Sequence, residues 1–324
     1  MGETNFFSFL YLFDGGHFLG IAQNGYLERS QYAFFPLYPV LVSFFSGLTH
    51  LSYPATAFFL STLFSIGSFI FLYKLIRLDF SEKIARRTLI LLLIFPASFY
   101  LLLAYSESLF LFTTLAAFYF TRKKNYFLAA IFGGLSAVTR LVGVITILAL
   151  WIEAFRERDK GKYLLVLAPL GFLLFCLYLR SQAGDPFYFF IAEREWNRIL
   201  ALPGISILDT LLNLFTPGYF LEHLNTLGDL IFTVFGLGLA IKAVKSLRLS
   251  YGFYALGSVL VPVLSTSLTS MPRFLLMVWP IFLVLSLLGE KYQKYRWVWV
   301  TYRTFSVLLL TIYLVSFLQG YDVS

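Results

Sequence analysis

Apolar residues run along this chain in long stretches that do not alternate with polar ones. The period-two pattern of a half-solvated strand is missing, and a helix needs about 20 apolar residues to cross a bilayer. Spans are predicted at 55–76, 86–104, 107–121, 126–139, 141–155, 163–181, 227–243, 251–268, 273–290 and 303–320. Several are short, and the helices around Glu107 and Arg140 read as broken near one membrane surface. Residues 34–50 are apolar as well, but counting them as a span inverts the alternation of the loops. Pro36 and Pro39 fall in their first turn, so they are expected to lie as a helix at the interface. Only the stub 5–13 precedes Asp14, too little to cross. A first span is therefore expected to be missing or cut short, with translation beginning further upstream. There is no basic leader or cleavage site of a signal peptide.

Backbone groups in lipid must be satisfied within the segment or in a closed barrel, and unalternating runs exclude the barrel. The expected fold is thus all-α: a polytopic transmembrane helical bundle of about ten spans plus the truncated first one. Interfacial helices are expected in its first outer loop, and residues 1–324 form a single membrane domain.

Composition agrees. Charged residues make up 13% of the 324, against roughly 25% in soluble domains, and mean hydropathy is +0.79. The net charge of +8 is a matter of topology rather than of nucleic acid. Lys74, Arg77, Lys83, Arg86 and Arg87 form one cationic group, and Arg122, Lys123 and Lys124 a second. Arg156, Arg158, Lys160 and Lys162 follow, then Lys242, Lys245 and Arg248, then Lys291, Lys294, Arg296 and Arg303. All five groups fall on one side of the predicted topology, which the positive-inside rule makes cytoplasmic. Segments 14–54 and 182–226 are then extracytoplasmic, the second rich in interfacial aromatics such as Phe187, Tyr188 and Trp196. The lone cysteine, Cys176, lies in an apolar run and reads as a small buried hydrophobe.

Few residues remain to carry chemistry. Asp14 lies in Phe13-Asp14-Gly15-Gly16-His17, where the plain reading is an Asp-Gly turn. Glu107 follows Tyr105-Ser106 between two apolar helices, and the plain reading is a first-turn acid. Arg140, among small and apolar residues, is costly unless paired or wet; it reads equally as a snorkelling cation. Arg273, after Met271-Pro272, sits at a helix start and opposes the dipole, which invites an anion nearby. The chain has no Asp-x-Asp pair, Walker loop, dinucleotide fingerprint or Cys/His metal cluster, so no cofactor or metal is expected.

Taken together, these residues resemble the GPI mannosyltransferase II (PIG-V) family of GT-C membrane glycosyltransferases. The resemblance is carried by the run from Phe13-Asp14-Gly15-Gly16-His17 to Gly25-Tyr26 and by Phe34-Phe35-Pro36-Leu37-Tyr38-Pro39. Phe95-Pro96-Ala97-Ser98, Ala104-Tyr105-Ser106-Glu107-Ser108 and Thr139-Arg140-Leu141-Val142-Gly143 add to it, and Pro272-Arg273-Phe274 matches weakly. The first 145 residues resemble the family well, the rest mainly in hydropathy. Phe13 stands where the family usually has Trp. The resemblance implies transfer of a hexose, typically mannose, from a polyprenyl- or dolichyl-phosphate carrier to a glycolipid or glycan acceptor outside the cytoplasm, by metal-independent inverting displacement. It implies Asp14 as general base, with Arg140 and Arg273 near the phosphate. His17, Tyr26, Tyr105 and Glu107 are assigned to orienting or binding substrate. The expected surroundings are membrane lipids, in the cell membrane of a prokaryote or the endoplasmic reticulum of a eukaryote. No nucleic acid is expected, and a small partner subunit is allowed for.

Three readings compete. A transporter or lipid flippase also has many helices and a few intramembrane charges, but no matching pair of broken helices in two halves is found. A glycoside hydrolase using Asp14 and Glu107 requires the two carboxylates about 5–10 Å apart. An assembly subunit would be indifferent to loss of either.

Overall fold

The computed structural model describes residues 7–155, 157–202, 204–216 and 220–323. Arg156 of the third cationic group, residues 5–6 of the N-terminal stub, and 203 and 217–219 of the loop 182–226 lie outside them. The described residues are helical without a β-strand; one isolated bridge joins Leu200 and Ser265. In chain order the α-helices are α1 Asp14–Asn24, α2 Leu37–Thr49, α3 Tyr53–Ile76, α4 Glu82–Leu93 and α5 Glu107–Arg122. Next come α6 Tyr126–Thr139, α7 Gly143–Phe155, α8 Leu170–Ala183, α9 Tyr188–Ala192 and α10 Ile205–Asn213. Last are α11 Phe220–Ser246, α12 Leu249–Val263, α13 Met271–Leu276, α14 Trp279–Lys291 and α15 Arg296–Leu318.

Four helices among the described residues are long and apolar enough to cross a membrane: Tyr53–Ile76, Lys160–Ala183, His223–Ser246 and Arg296–Leu318. Helices α2, α6, α7 and α12 are apolar but shorter. Several expected spans are thus corrected. The segment 86–104 is not one helix: α4 stops at Leu93, before Pro96, and the chain resumes as a 3-10 turn at Ser98–Leu102. The residue before a proline is driven out of the helical region, which places the stop. The segment 251–268 ends at Val263, one residue past Pro262. The segment 273–290 is split between Leu276 and Trp279, with Pro280 near the start of α14. The segment 182–226 is largely helical too, taking in α9, α10 and the first turns of α11. Within residues 34–50, Leu37–Thr49 form one helix, α2, with Pro36 as its N-cap.

The described chain divides into two compact units. One comprises the residues up to Phe71 with Tyr100–Trp196; the other comprises Leu72–Phe99 and Asn197 onward. In the first, α5 is buried along nearly its whole length, packed with α6 and α7. Ala129, Ala130, Gly133, Gly134 and Ala137 line α6, and small residues let helix backbones approach closely where lipid offers no hydrophobic drive. The irregular stretch before α5 needs partners for its carbonyls. Ser61 and Ser65 of α3 donate to the Leu103 and Leu101 oxygens, each at 2.7 Å. At the far end of α5, Arg122 pairs with Glu153 of α7 at 3.3 Å, both nearly buried.

In the second unit α11 and α12 form a hairpin. Gly252 lies so near the Val244 backbone that an added Cβ would stand 2.5 Å from its Cα. Helix α4 packs on α14, begun by Ser81, whose hydroxyl accepts from the Ile84 N–H.

Candidate functional site

The aspartate at the head of the sequence block is not a turn residue. It is the first residue of α1, where a carboxylate is stabilised by the positive end of the helix dipole. The chain enters through Phe13 with φ 51° and ψ −130°, a backbone conformation non-glycine residues rarely adopt. The two glycines after Asp14 permit the turn. A Cβ on Gly15 would stand 2.2 Å from the Leu10 carbonyl oxygen, and one on Gly16 2.8 Å from that of Tyr11. The preceding 3-10 turn is thereby folded directly onto the start of α1, and Asp14 is half-buried at the junction.

Tyr105 holds this junction from the other side. It is buried, its hydroxyl donates to the Leu12 carbonyl at 3.1 Å, and its ring lies against Gly15. The residues that follow, Ser106 and Glu107, open α5 and receive Arg140. The guanidinium donates to Glu107 Oε1 at 2.8 Å and to Ser106 Oγ at 3.1 Å. Glu107's side chain is fully buried and Arg140's is 15% exposed, so the cation is paired rather than snorkelling. It stands at the C-terminal end of α6 in extended conformation, where α6 turns into α7. That turn is tight: a Cβ on Gly143 would meet the Ser136 and Ala137 backbone at 2.3 Å. Two residues expected to act separately on substrate are therefore one ion pair, coupled through Tyr105 to the backbone two residues before Asp14.

His17, one turn along α1 from Asp14, lies in an aromatic box. Its ring stacks on Phe34 at 5.0 Å and 16°, and the Trp196 ring stands edge-on at 5.0 Å and 89°. Tyr26 braces the box. Its hydroxyl donates to the Phe34 carbonyl at 2.6 Å, and its ring packs on Tyr32 at 5.0 Å. Burial, helped by the phenols of Tyr178 and Tyr32, pushes the Tyr26 phenol well above its usual value, so it stays a donor. Trp196 had no signal of its own in sequence beyond being one aromatic in a loop of many.

Arg273 belongs to the second unit, buried in the first turns of α13. At that helix start Asp229 accepts from the Met271 N–H at 2.9 Å. Sequence reasoning missed Asp229, which is 6% exposed in the middle of α11. A lone intramembrane carboxylate was the available signal.

The first unit thus presents a carboxylate at a helix start, a buried ion pair tied to it, and an aromatic box one turn away. The family model described as Mannosyltransferase (PIG-V) matches residues 3–158 and takes in all of these except Trp196 and Tyr178. The protein is a membrane glycosyltransferase of the mannosyltransferase type. Over the matched region, just under half of the chain, it is similar to the PIG-V mannosyltransferases, consistent with a GT-C enzyme. No curated protein matches the chain.

Proposed function

We propose that the protein transfers a hexose, mannose by preference, from a polyprenyl- or dolichyl-phosphate carrier to an acceptor hydroxyl on the extracytoplasmic side. The observation that carries this reading is the seating of Asp14. It stands at the N-terminus of α1, fixed by Gly15, Gly16 and Tyr105, within the region that matches the mannosyltransferase family. The acceptor oxygen attacks the anomeric carbon while its proton passes to the Asp14 carboxylate. The bond from that carbon to the phosphate oxygen breaks, and the phosphate leaves as an anion that needs no proton. The transition state is oxocarbenium-like, and one displacement inverts the anomeric centre. Cations stabilise the leaving phosphate, a part assigned to Arg273 and Arg140. Glu107 holds Arg140 in place. The box of His17, Phe34 and Trp196 offers apolar ring faces to a sugar or its lipid.

The same reading makes the chain multi-pass and a single membrane domain. Its five cationic groups lie in the cytoplasm, and the segments 14–54 and 182–226 lie opposite. The acceptor is a glycolipid or glycan.

The test is transfer of radiolabelled mannose from polyprenyl-phosphate-mannose to a crude glycolipid extract in proteoliposomes. Wild type should move label and Asp14→Asn should not, with both retaining carrier binding. A mutant as active as wild type removes Asp14 from the mechanism. Carrier binding without transfer by either protein points to another sugar or acceptor.

A further inference from the structure

The second unit holds a cleft of about 790 Å³ that the transfer reaction does not use. That is within the range of small-ligand sites, about 300–1,000 Å³. It is lined by α4 from Glu82 to Leu91, the C-terminal end of α14 and the first turns of α15, with five cations around it: Lys83, Arg86, Arg87, Arg296 and Arg303. Two carboxylates answer them. Glu82 pairs with Arg86, and Glu290 takes Lys83 at 3.0 Å and Arg87 at 3.2 Å. The cleft keeps an excess of three positive charges. Among the described residues neither Arg296 nor Arg303 joins an ion pair.

Three features give this charge a shape. The cleft is fed by two helix N-termini. That of α15, a helix of 23 residues, has no side-chain cap, and its dipole favours negative charge there. The wall is apolar: Ile90, Leu91 and Trp299 line the cleft beside the cations. Gly289 keeps it open, since a Cβ there would stand 3.2 Å from Arg87 Nη1 and 3.4 Å from the Trp299 ring.

Depth decides what fits. Helix α15 is a candidate span of which 6% of the apolar window is buried, so its length is left to lipid. Its first turns carry Trp297 and Trp299, with Tyr295 just before and Tyr302 just after, the aromatic belt of a membrane interface. A cationic cleft at that level, with Ile90, Leu91 and Trp299 in its wall, suits a phosphate whose tails run along the span. We propose that this cleft binds the phosphodiester headgroup of an anionic phospholipid, held by Arg296, Arg303 and Lys83. A soluble phosphate shares the chemistry of the head but has no use for the apolar wall. The proposal does not depend on which sugar is transferred or by which residue.

The test uses the full chain in nanodiscs of phosphatidylcholine, doped with brominated phosphatidylglycerol or brominated phosphatidylcholine. Bromine quenches nearby tryptophan, and Trp299→Phe identifies the cleft's share of the signal. Wild type should be quenched by the glycerol lipid at a dose about tenfold or more below that of the choline lipid. Arg296→Gln with Arg303→Gln should erase that preference, two interfacial cations being removed. Lys242→Gln, which removes a cation outside the cleft, should leave it intact. Equal quenching of wild type by both lipids, or a preference that survives the double substitution, overturns the proposal. So does full displacement of the glycerol lipid by millimolar inorganic pyrophosphate, which assigns the cleft to a soluble phosphate instead.

Discussion

Replacing Arg140 by Gln should destabilise the protein far more than any surface ion-pair mutation. The N–O distance in the Arg140–Glu107 pair is 2.8 Å, and the Glu107 side chain has no exposure at all. Removing the cation leaves a carboxylate in low dielectric without the charge that balanced it, a loss of about 3–5 kcal/mol. The reverse change is milder. In Glu107→Gln the stranded guanidinium is 15% exposed and can draw water. Replacing both by Gln leaves two neutral amides, so the double variant should be more stable than Arg140→Gln alone, with a coupling of up to about 3 kcal/mol. The pair of Lys124 with Glu157 makes the comparison. It is just as short, at 2.7 Å, but 54% and 42% exposed, and Lys124→Gln should cost about 0–1 kcal/mol. Distance is the same in the two pairs; burial sets the difference. The assay is SDS unfolding of the full chain in mixed micelles, followed by circular dichroism. If Arg140→Gln costs less than about 1 kcal/mol, or adds simply to Glu107→Gln, the pair is not the buried, coupled unit described here.

Three other outcomes follow from the geometry. Gly15→Ala should cost about 1–3 kcal/mol and most of the transfer activity, because its Cβ meets backbone that must move and Asp14 moves with it; Gly20→Ala on the same helix, with nothing within 4 Å, should match or exceed wild-type stability. Tyr105→Phe removes the hydroxyl that donates to Leu12, so stability should fall by about 1 kcal/mol and kcat should drop with KM little changed; a purely structural tyrosine would leave kcat alone. Asp229→Ala should cost about 1–3 kcal/mol by stranding the Met271 N–H, and Asp229→Asn, which keeps an acceptor, should recover most of it in the same unfolding assay.

Sequence alone determined the solvent and the class of element. Runs of Phe, Leu, Ile and Val without alternation can be satisfied only as helices in lipid, whatever their neighbours. It also picked out the block from Phe13 to Tyr26, but through its resemblance to the PIG-V family, since the Asp-Gly-Gly spacing taken alone reads as a turn. Helix lengths were less legible. Prolines at 96, 262 and 280 lie near helix ends or starts inside runs that hydropathy reads as continuous, since hydropathy registers side-chain polarity and not backbone geometry. What tertiary structure decided was pairing. Nothing in the sequence says that Arg140 reaches back across 33 residues to Glu107, or that the Tyr105 hydroxyl seats the turn before Asp14. The same holds for Asp229, which takes the Met271 N–H from 42 residues away, and for Trp196, which closes the box on His17. Such contacts join residues distant along the chain. They are fixed by which helix faces pack together, and the sequence pattern of one helix cannot specify the face of another.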